Sequence, residues 1–169
     1  DELRRNYNIP FGKDLAIAWE YATDLPSMAT DDEKLKAVIQ NLVNNAIKFT
    51  DPGVVTISVR HMAGTNEIEL KVADTGIGIP AEKIQTIFDM FQQVDSSATR
   101  KFGGVGLGLY IVRKYVDLLG GRVAVQSEFE RGSTFIVHLP VSAGSAAARP
   151  ADKSQSDDQP GLAASNLDG

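Results

Sequence analysis

The stretch DDEKLKAVIQNLVNNAIKFT, residues 31–50, decides the fold because its apolar residues repeat at helical spacing. They recur at i, i+3, i+4 and i+7 and are Leu35, Val38, Ile39, Leu42, Val43, Ala46 and Ile47. This period predicts an amphipathic helix over Asp32–Phe49. Asp31 or Asp32 supplies its N-cap, and the Asp-Pro-Gly run at 51–53 predicts the turn that follows.

The same helix carries a second, polar face. At ~100° per residue, Asn41, Asn45 and Lys48 fall within about 60° of one another, well over 90° from the middle of the apolar stripe. Amide oxygens can coordinate Mg²⁺, and a lysine can neutralise a phosphate. A solvated helix surface is the plainer alternative, and this helix taken alone slightly favours it.

Strands and a second long helix surround this element. Alternating or continuous apolar runs predict strands around Leu15–Tyr21, 55–59, 68–72, Val123–Val125 and Thr134–Leu139. Further helices are predicted over Ile84–Phe88 and Leu107–Leu119, the latter ended by two glycines. This order predicts an α+β fold, a two-layer α/β sandwich with helices on one face of a mixed, mostly antiparallel sheet.

Asp74 shares the parity of the apolar residues before it in its strand, so its carboxylate is predicted to face the buried side. A buried carboxylate is costly unless hydrogen-bond donors reach it. The exocyclic amine of adenine would supply one, as would a water bridging to Thr134. Gly76 and Gly78 allow the backbone to approach a flat ring closely. A strand-end turn with a capping Asp is the alternative; the glycines and the parity together favour a binding site.

Residues 102–109, FGGVGLGL, place alternating glycines directly before the second long helix. Gly104, Gly106 and Gly108 would present N–H groups at the positive end of the helix dipole, which favours an anion. Arg100 and Lys101 precede them and either meet phosphates or are ordinary exposed charges. The run lacks the Gly-Lys-Ser/Thr of a Walker loop, and its spacing disfavours a Rossmann fingerprint.

Composition excludes several classes of function. A net charge of −5 without a dense basic face disfavours nucleic acid as the main partner. The absence of cysteine excludes disulfides and thiolate metal sites. No apolar run approaches the ~20 residues that cross a bilayer, and no signal peptide opens the sequence, so this piece is expected to make no direct membrane contact.

Three segments are expected along the chain. Residues 1–7 are predicted to be the remnant of an upstream helix, and residues 8–140 to be the folded domain. Residues 141–169 contain no aromatic residue and are rich in Ala, Ser, Gly, Asp and Pro. Because such a segment cannot bury enough apolar surface to offset its ordering entropy, it is predicted to be a disordered tail or linker.

These stretches, in order over roughly residues 13–140, resemble the catalytic ATP-binding domain of sensor histidine kinases. That domain shares a clan with the DNA gyrase, mismatch-repair and heat-shock chaperone ATPases. Residues 41–50 look like its asparagine box, 74–80 its first glycine box and 88–91 its phenylalanine box. Residues 104–109 look like the second glycine box, and 131–135 like the closing strand motif.

The resemblance implies a Bergerat-type fold with ATP between the two long helices, beneath a glycine-rich lid. Asp74 would hold the adenine amine and Asn45 the Mg²⁺, with Asn41 and Lys48 as catalytic residues near the phosphates. The other implied ATP-site residues are Gly76, Gly78, Ile79, Phe88, Arg100, Lys101, Leu107, Thr134 and the phosphate-cradling Gly104, Gly106 and Gly108.

Two features separate this sequence from relatives. Gyrase-like members carry a glutamate where Asn41 stands, and since an amide cannot act as a general base, hydrolysis is expected to be slow. Val105 replaces a threonine common in the family, which implies at most weaker ATP binding.

His61 and His138 lie in or beside predicted strands and outside the family's acceptor motif, so both are interpreted as structural.

The resemblance therefore implies transfer of the γ-phosphate of MgATP to a histidine on a separate dimerisation domain of the same full-length protein. A downstream response regulator and a cytoplasmic location are implied with it. Two alternatives stay open: a nucleotide-sensing module that transfers nothing, and a hydrolytic ATPase of the same clan.

Overall fold

A computed structural model of the chain describes residues 13–90 and 107–141. The predicted features outside these residues are the helix remnant at 1–7, Phe91 of the phenylalanine box, Arg100 and Lys101, the glycine run through residue 106 and the tail beyond residue 141. Within the described ranges, no helix combines the length and apolarity needed to span a bilayer.

In the described part of the chain, five strands form one mixed sheet in the order β1-β2-β3-β5-β4. Their bounds are β1 Leu15–Tyr21, β2 Gly53–Met62, β3 Glu67–Asp74, β4 Arg122–Glu128 and β5 Gly132–Pro140. β1 runs parallel to β2, and the other three neighbouring pairs are antiparallel. The prediction of a mixed, mostly antiparallel sheet is confirmed.

One face of this sheet is covered by the α-helices α1 (Asp32–Phe49) and α2 (Gly108–Leu118). Asp31 caps α1 by accepting a 3.0 Å hydrogen bond from the backbone N of Lys34. The face of α1 that packs on the sheet has the predicted helical spacing and contains the buried Val38, Ile39, Leu42, Val43, Ala46 and Ile47. The helices also pack against each other, so one core fills the space between them and the sheet.

The predicted short helix over Ile84–Phe88 is wrong. The chain instead forms a 3₁₀-helix over Ala81–Lys83 and continues in turns. The backbone N of Thr86 bonds to the Lys83 carbonyl at 3.0 Å, an i→i−3 contact that is tighter than an α-helical turn. The same carbonyl accepts one i→i−4 bond, from the backbone N of Ile87 at 3.1 Å, but the next bond, from Asp89 to the Thr86 carbonyl at 2.9 Å, is again i→i−3.

The other face of the sheet is polar and is centred on Glu69, which is only 6% exposed. Its carboxylate contacts the side-chain nitrogens of Arg60 at 2.6 Å, Lys71 at 3.2 Å and His138 at 3.1 Å. Burial raises the pKa of Glu69, but the hydrogen bonds from Arg60 and Lys71 outweigh it and hold that pKa below the ordinary value. The position of His138 in this network agrees with its interpretation as a structural residue.

Candidate functional site

A cleft of about 710 Å³, including its open mouth, lies between α1, the start of α2 and the adjacent ends of β3 and β5. Its lining is mostly apolar and consists of Asn45, Ala46, Phe49, Asp74, Ile77, Gly78, Ile79, Lys83, Thr86, Ile87, Leu109, Ser133 and Phe135. Four of the predicted site residues are among them: Asn45, Asp74, Gly78 and Ile79.

Asp74, the last residue of β3, presents a carboxylate to this cleft. Its Oδ1 accepts hydrogen bonds from the backbone N of Gly76 at 2.9 Å and of Ser133 at 3.3 Å. Burial raises the pKa of Asp74, although these two hydrogen bonds oppose the shift. Both backbone donors use Oδ1, so Oδ2 has no donor within residues 13–90 and 107–141 and can accept one from a ligand.

The loop after Asp74 is held against the end of α1. The backbone N of Ile77 donates to the carbonyl of Phe49 at 3.1 Å. A Cβ added to Gly76 would lie 2.2 Å from that same carbonyl oxygen, so only glycine fits there. Gly76 therefore does not line the cleft but permits the close approach that fixes Asp74 beside Phe49.

The hairpin between β4 and β5 holds the same loop from the other side. Ser127 accepts a 2.8 Å hydrogen bond from the backbone N of Ile79 and donates to the carbonyl of Gly132 at 2.8 Å. Gly78 has a φ of +65°, and a Cβ there would lie 2.1 Å from the carbonyl oxygen of Glu128. The loop that carries Ile79 into the cleft is thus fixed at both ends.

The polar face of α1 reaches the cleft only in part. Asn45 lines it, one turn before Phe49. The amide nitrogen of Asn41 donates to the carbonyl of Ala37 at 2.8 Å, and Asn41 is not among the residues that line the cleft. Lys48 lies 4.9 Å from the centre of the Phe49 ring, and burial lowers the pKa of its ammonium.

The first turn of α2 contacts both asparagines. A Cβ built on Gly108 would lie 3.0 Å from Oδ1 of Asn41 and 3.8 Å from Nδ2 of Asn45. Leu107 stands at the N-cap position of α2, and Leu109 lines the cleft. The start of a helix, whose free N–H groups favour anions, therefore lies beside two amide side chains.

Phe88 supports the cleft without lining it. It is buried and packs edge-on against Phe135, with ring centroids 6.3 Å apart. Phe135 itself lines the cleft. We had predicted a direct contact between Phe88 and the nucleotide. In the structure Phe88 instead supports the ring of Phe135, which lines the cleft.

Thr134 requires a correction. In the β3–β5 register, Asp74 is opposite Ser133 and Thr134 is opposite Ala73. Because side chains alternate along a strand, Thr134 lies on the opposite sheet face from Asp74. Ser133, whose hydroxyl is 3.0 Å from that of Ser127, occupies the cleft wall instead.

Four predicted residues, Arg100, Lys101, Gly104 and Gly106, lie outside the described residues. The sequence interpretation missed others that line the cleft: Ala46, Phe49, Ile77, Lys83, Thr86, Ile87, Leu109, Ser133 and Phe135. Two signals could have found some of them. Phe49 follows Asn45 by one helical turn, and Ser133 and Phe135 alternate with the outward-facing residues of β5.

The arrangement suits a flat heterocycle that carries a hydrogen-bond donor. Apolar side chains form the walls, and Asp74 supplies an acceptor at the edge of the sheet. Asn45 and the first turn of α2 provide groups for an anion or a metal-bound oxygen on the helix side. Within the described residues, no group of three or more His, Asp and Glu side chains could hold a metal ion unaided.

Comparison with known proteins gives a consistent result. The model of the histidine kinase-, DNA gyrase B- and HSP90-like ATPase family matches residues 30–143. The chain is 38% identical over 153 residues to the autoinducer 2 sensor kinase/phosphatase LuxQ of Vibrio vulnificus strain YJ016, covering 85% of the chain and 18% of LuxQ. It is 41% identical over 131 residues to the signal transduction histidine-protein kinase BarA of Escherichia coli K12, covering 75% of the chain and 14% of BarA.

Solved structures show the same fold. Full-length ShkA in complex with AMPPNP is 33% identical, with a TM-score of 0.67 over 81% of this chain and 28% of ShkA. A nucleotide-free catalytic domain of the histidine kinase ThkA is 26% identical, with a TM-score of 0.64 over 77% of this chain and 81% of that domain. The chain thus spans less than a fifth of its curated relatives but most of an isolated catalytic domain.

Proposed function

The chain belongs to the family of histidine kinase-, DNA gyrase B- and HSP90-like ATPases, and from that membership we propose that it is the ATP-binding catalytic domain of a two-component sensor histidine kinase. Its role would be to present the γ-phosphate of MgATP to a histidine on a separate dimerisation domain of the full-length protein. The observation that carries the proposal is the Asp74 carboxylate, fixed through Oδ1 at the edge of an apolar cleft that would hold the adenine ring.

Asp74 would read the base. Oδ2 would accept the exocyclic amine of adenine, while Phe49, Ile79 and Phe135 enclose the ring. Guanine carries a carbonyl oxygen at the corresponding position, so two acceptors would face each other there. Ser133, rather than the predicted Thr134, would support this end of the pocket.

The triphosphate would extend toward Asn45 and the start of α2. Gly108 brings the helix N-terminus against the two asparagines, where N–H groups can receive phosphate oxygens. Arg100, Lys101, Gly104 and Gly106 stay predictions for the same phosphates. Burial lowers the pKa of the Lys48 ammonium, and that ammonium would offset phosphate charge.

Magnesium fits this set of residues. Mg²⁺ prefers oxygen ligands and is commonly held by few protein groups together with substrate phosphates. Asn45 would supply one amide oxygen, and the bound ion would neutralise charge on the β- and γ-phosphates. The residues of this chain would then mainly orient the nucleotide, as phosphoryl transfer generally allows.

Hydrolysis would be slow because no general base stands at the predicted place. Asn41 is an amide and is held by its hydrogen bond to the Ala37 carbonyl. ATP would therefore stay intact until an acceptor histidine attacks the γ-phosphorus; the P–N bond forms as the bond to the ADP oxygen breaks. A response regulator would then receive the phosphoryl group, on the cytoplasmic side.

Labelled γ-phosphate tests the proposal. This chain is incubated with MgATP and a separate polypeptide that bears the acceptor histidine of the same full-length protein. We expect label on that histidine and little free phosphate. Free phosphate as the main product would favour a hydrolytic ATPase, and binding without transfer would favour a nucleotide sensor. Asp74→Asn, assayed in parallel at the same ATP concentration, should transfer much less label.

A further inference from the structure

Lys13 holds the C-terminal end of α1 through three main-chain carbonyls. Its Nζ donates to the oxygens of Ile47 at 2.7 Å, Lys48 at 3.2 Å and Thr50 at 3.0 Å. An ammonium has three donor hydrogens, and the C-terminal end of a helix favours a cation. Lys13 therefore matches this helix end in both hydrogen bonding and charge, from 34 residues away in sequence.

The remaining carbonyls of the same turn are also occupied. The oxygen of Ala46 accepts from the Thr50 hydroxyl at 2.7 Å, and that of Phe49 accepts from the backbone N of Ile77 at 3.1 Å. The last carbonyls of a helix have no partner within it. Here they are shared between Lys13 on one side and the loop after Asp74 on the other.

Lys13 is linked to the cleft through the C-terminal end of α1. Phe49 and Asn45, both in the last turns of α1, line the cleft. Gly76 lies so close to the Phe49 carbonyl that an added Cβ would be 2.2 Å from it. A shift of the helix end would therefore move the Phe49 ring, the Asp74 loop or both.

We propose that Lys13 is a positioning residue for nucleotide binding, which holds the end of α1 against the loop that carries Asp74. The proposal rests on the proposed function of the cleft. Without the ammonium, three carbonyls would have to turn to water, and the last turn of α1 would lose its fixed position. The wall formed by Phe49 would loosen, so affinity would fall in a protein that is still folded.

The test compares Lys13→Met with the unaltered 169-residue chain. Methionine keeps much of the aliphatic length and removes the charge. The dissociation constant of a fluorescent ATP analogue is measured at a temperature where circular dichroism shows every variant fully folded. We expect Lys13→Met to bind at least about fivefold more weakly, a typical coupling between distant groups. A purely structural role would lower the melting temperature and leave this constant unchanged.

Two further variants sharpen the test. Lys13→Arg restores the cation and should recover most of the affinity. Lys36→Met removes an exposed lysine of α1 and should leave the dissociation constant of the ATP analogue unchanged. If Lys13→Met does not fold, Lys13→Gln replaces it; weaker binding would support the proposal and unchanged binding would overturn it. Failure of the unaltered chain to bind would contradict the function of the cleft, whereas equal binding by the chain and Lys13→Met would overturn only the role of Lys13.

Discussion

Asp74 is the residue at which stability and binding oppose each other. Burial raises its pKa, so the folded chain holds a proton on this carboxyl more tightly than the unfolded chain does. The contribution of Asp74 to the free energy of unfolding therefore decreases as pH rises from its ordinary value of 3.8 through the raised value. At neutral pH the fold bears the cost of a charge that a ligand donor would satisfy.

Asp74→Asn separates these two effects. The asparagine oxygen can still accept from Gly76 and Ser133, while its NH₂ faces the cleft and opposes the adenine amine. We expect affinity for an ATP analogue to fall at least about tenfold, given ~1.5–3 kcal/mol for a hydrogen bond to a charged group. Without nucleotide, the variant should be at least as stable as the unaltered chain at neutral pH, by urea unfolding. Unchanged affinity in a calorimetric titration would contradict the base contact.

Gly76 is a second residue at which a substitution should be costly. Gly76→Ala would place its Cβ 2.2 Å from the carbonyl oxygen and 2.8 Å from the carbonyl carbon of Phe49. We expect a loss of ~1–3 kcal/mol in the free energy of unfolding together with weaker nucleotide binding, because the loop must move away from α1. Gly64→Ala is the matched control, since no atom lies within 4 Å of the added Cβ. Equal stability of the two variants would show that the close approach is not needed.

At the scale of elements, the β4–β5 hairpin positions the loop that follows β3. Ser127 receives the backbone N–H of Ile79 and donates to Gly132. Ser127→Ala leaves that N–H without its partner, so we expect a loss of ~1–2 kcal/mol in unfolding free energy and weaker binding of an ATP analogue. Ser58→Ala, on the opposite face of the sheet, should stay within ~0.5 kcal/mol and bind normally. If Ser127→Ala binds as tightly as Ser58→Ala, the hairpin does not position the loop.

The polar face of the sheet should govern acid stability. Arg122 of β4 forms a two-pronged ion pair with Glu67 of β3, strands that are not neighbours in the sheet. The hydrogen bond from Arg122 lowers the pKa of Glu67 from 4.5 to about 2. A depressed carboxyl pKa contributes stability that is lost as pH falls from the unfolded value through the folded one.

Glu67→Gln should therefore flatten the dependence of stability on pH between 4.5 and about 2. Denaturant midpoints measured across this range would reveal the change. The same slope in Glu67→Gln and the unaltered chain would indicate that the ion pair does not form in solution.

The bounds of α1 and the positions of the strands along the chain were predictable because their patterns are local. The 3.6-residue period of 32–49 and the alternation in β2 and β3 need no knowledge of the partner element. The turns at 84–88 were missed because i→i−3 bonds such as that from Asp89 to the Thr86 carbonyl interrupt the α-helical pattern there. Thr134 was an avoidable error, since the buried Phe135, Val137 and Leu139 fix which residues of β5 face the helices.

The contacts that complete the site were beyond prediction from the sequence. Lys13 and Ser127 act on segments that are 34 to 48 residues away, and no local pattern marks either side chain. Gly108 was predicted as a phosphate contact, but its approach to Asn41 and Asn45 depends on how α2 packs on α1. Such contacts follow from tertiary packing, which a single sequence does not encode in any short window.

In the molecule as a whole, segments that are far apart in the sequence come together to line one cleft. α1 supplies Asn45 and Phe49, β3 supplies Asp74, and α2 begins against the amides. The sheet holds these pieces in place, and the curated relatives carry the matching region as a small part of much longer sensor kinases. Signal input and phosphoryl acceptance would therefore come from other parts of the full-length protein.

A crystal structure of the chain with a nonhydrolysable ATP analogue and Mg²⁺ would show whether the cleft binds the nucleotide as proposed. We expect the purine amine within hydrogen-bond distance of the Asp74 carboxylate, the metal at the Asn45 amide and the phosphates at the start of α2. An analogue bound elsewhere, or seated in the cleft with its base turned away from Asp74, would contradict it.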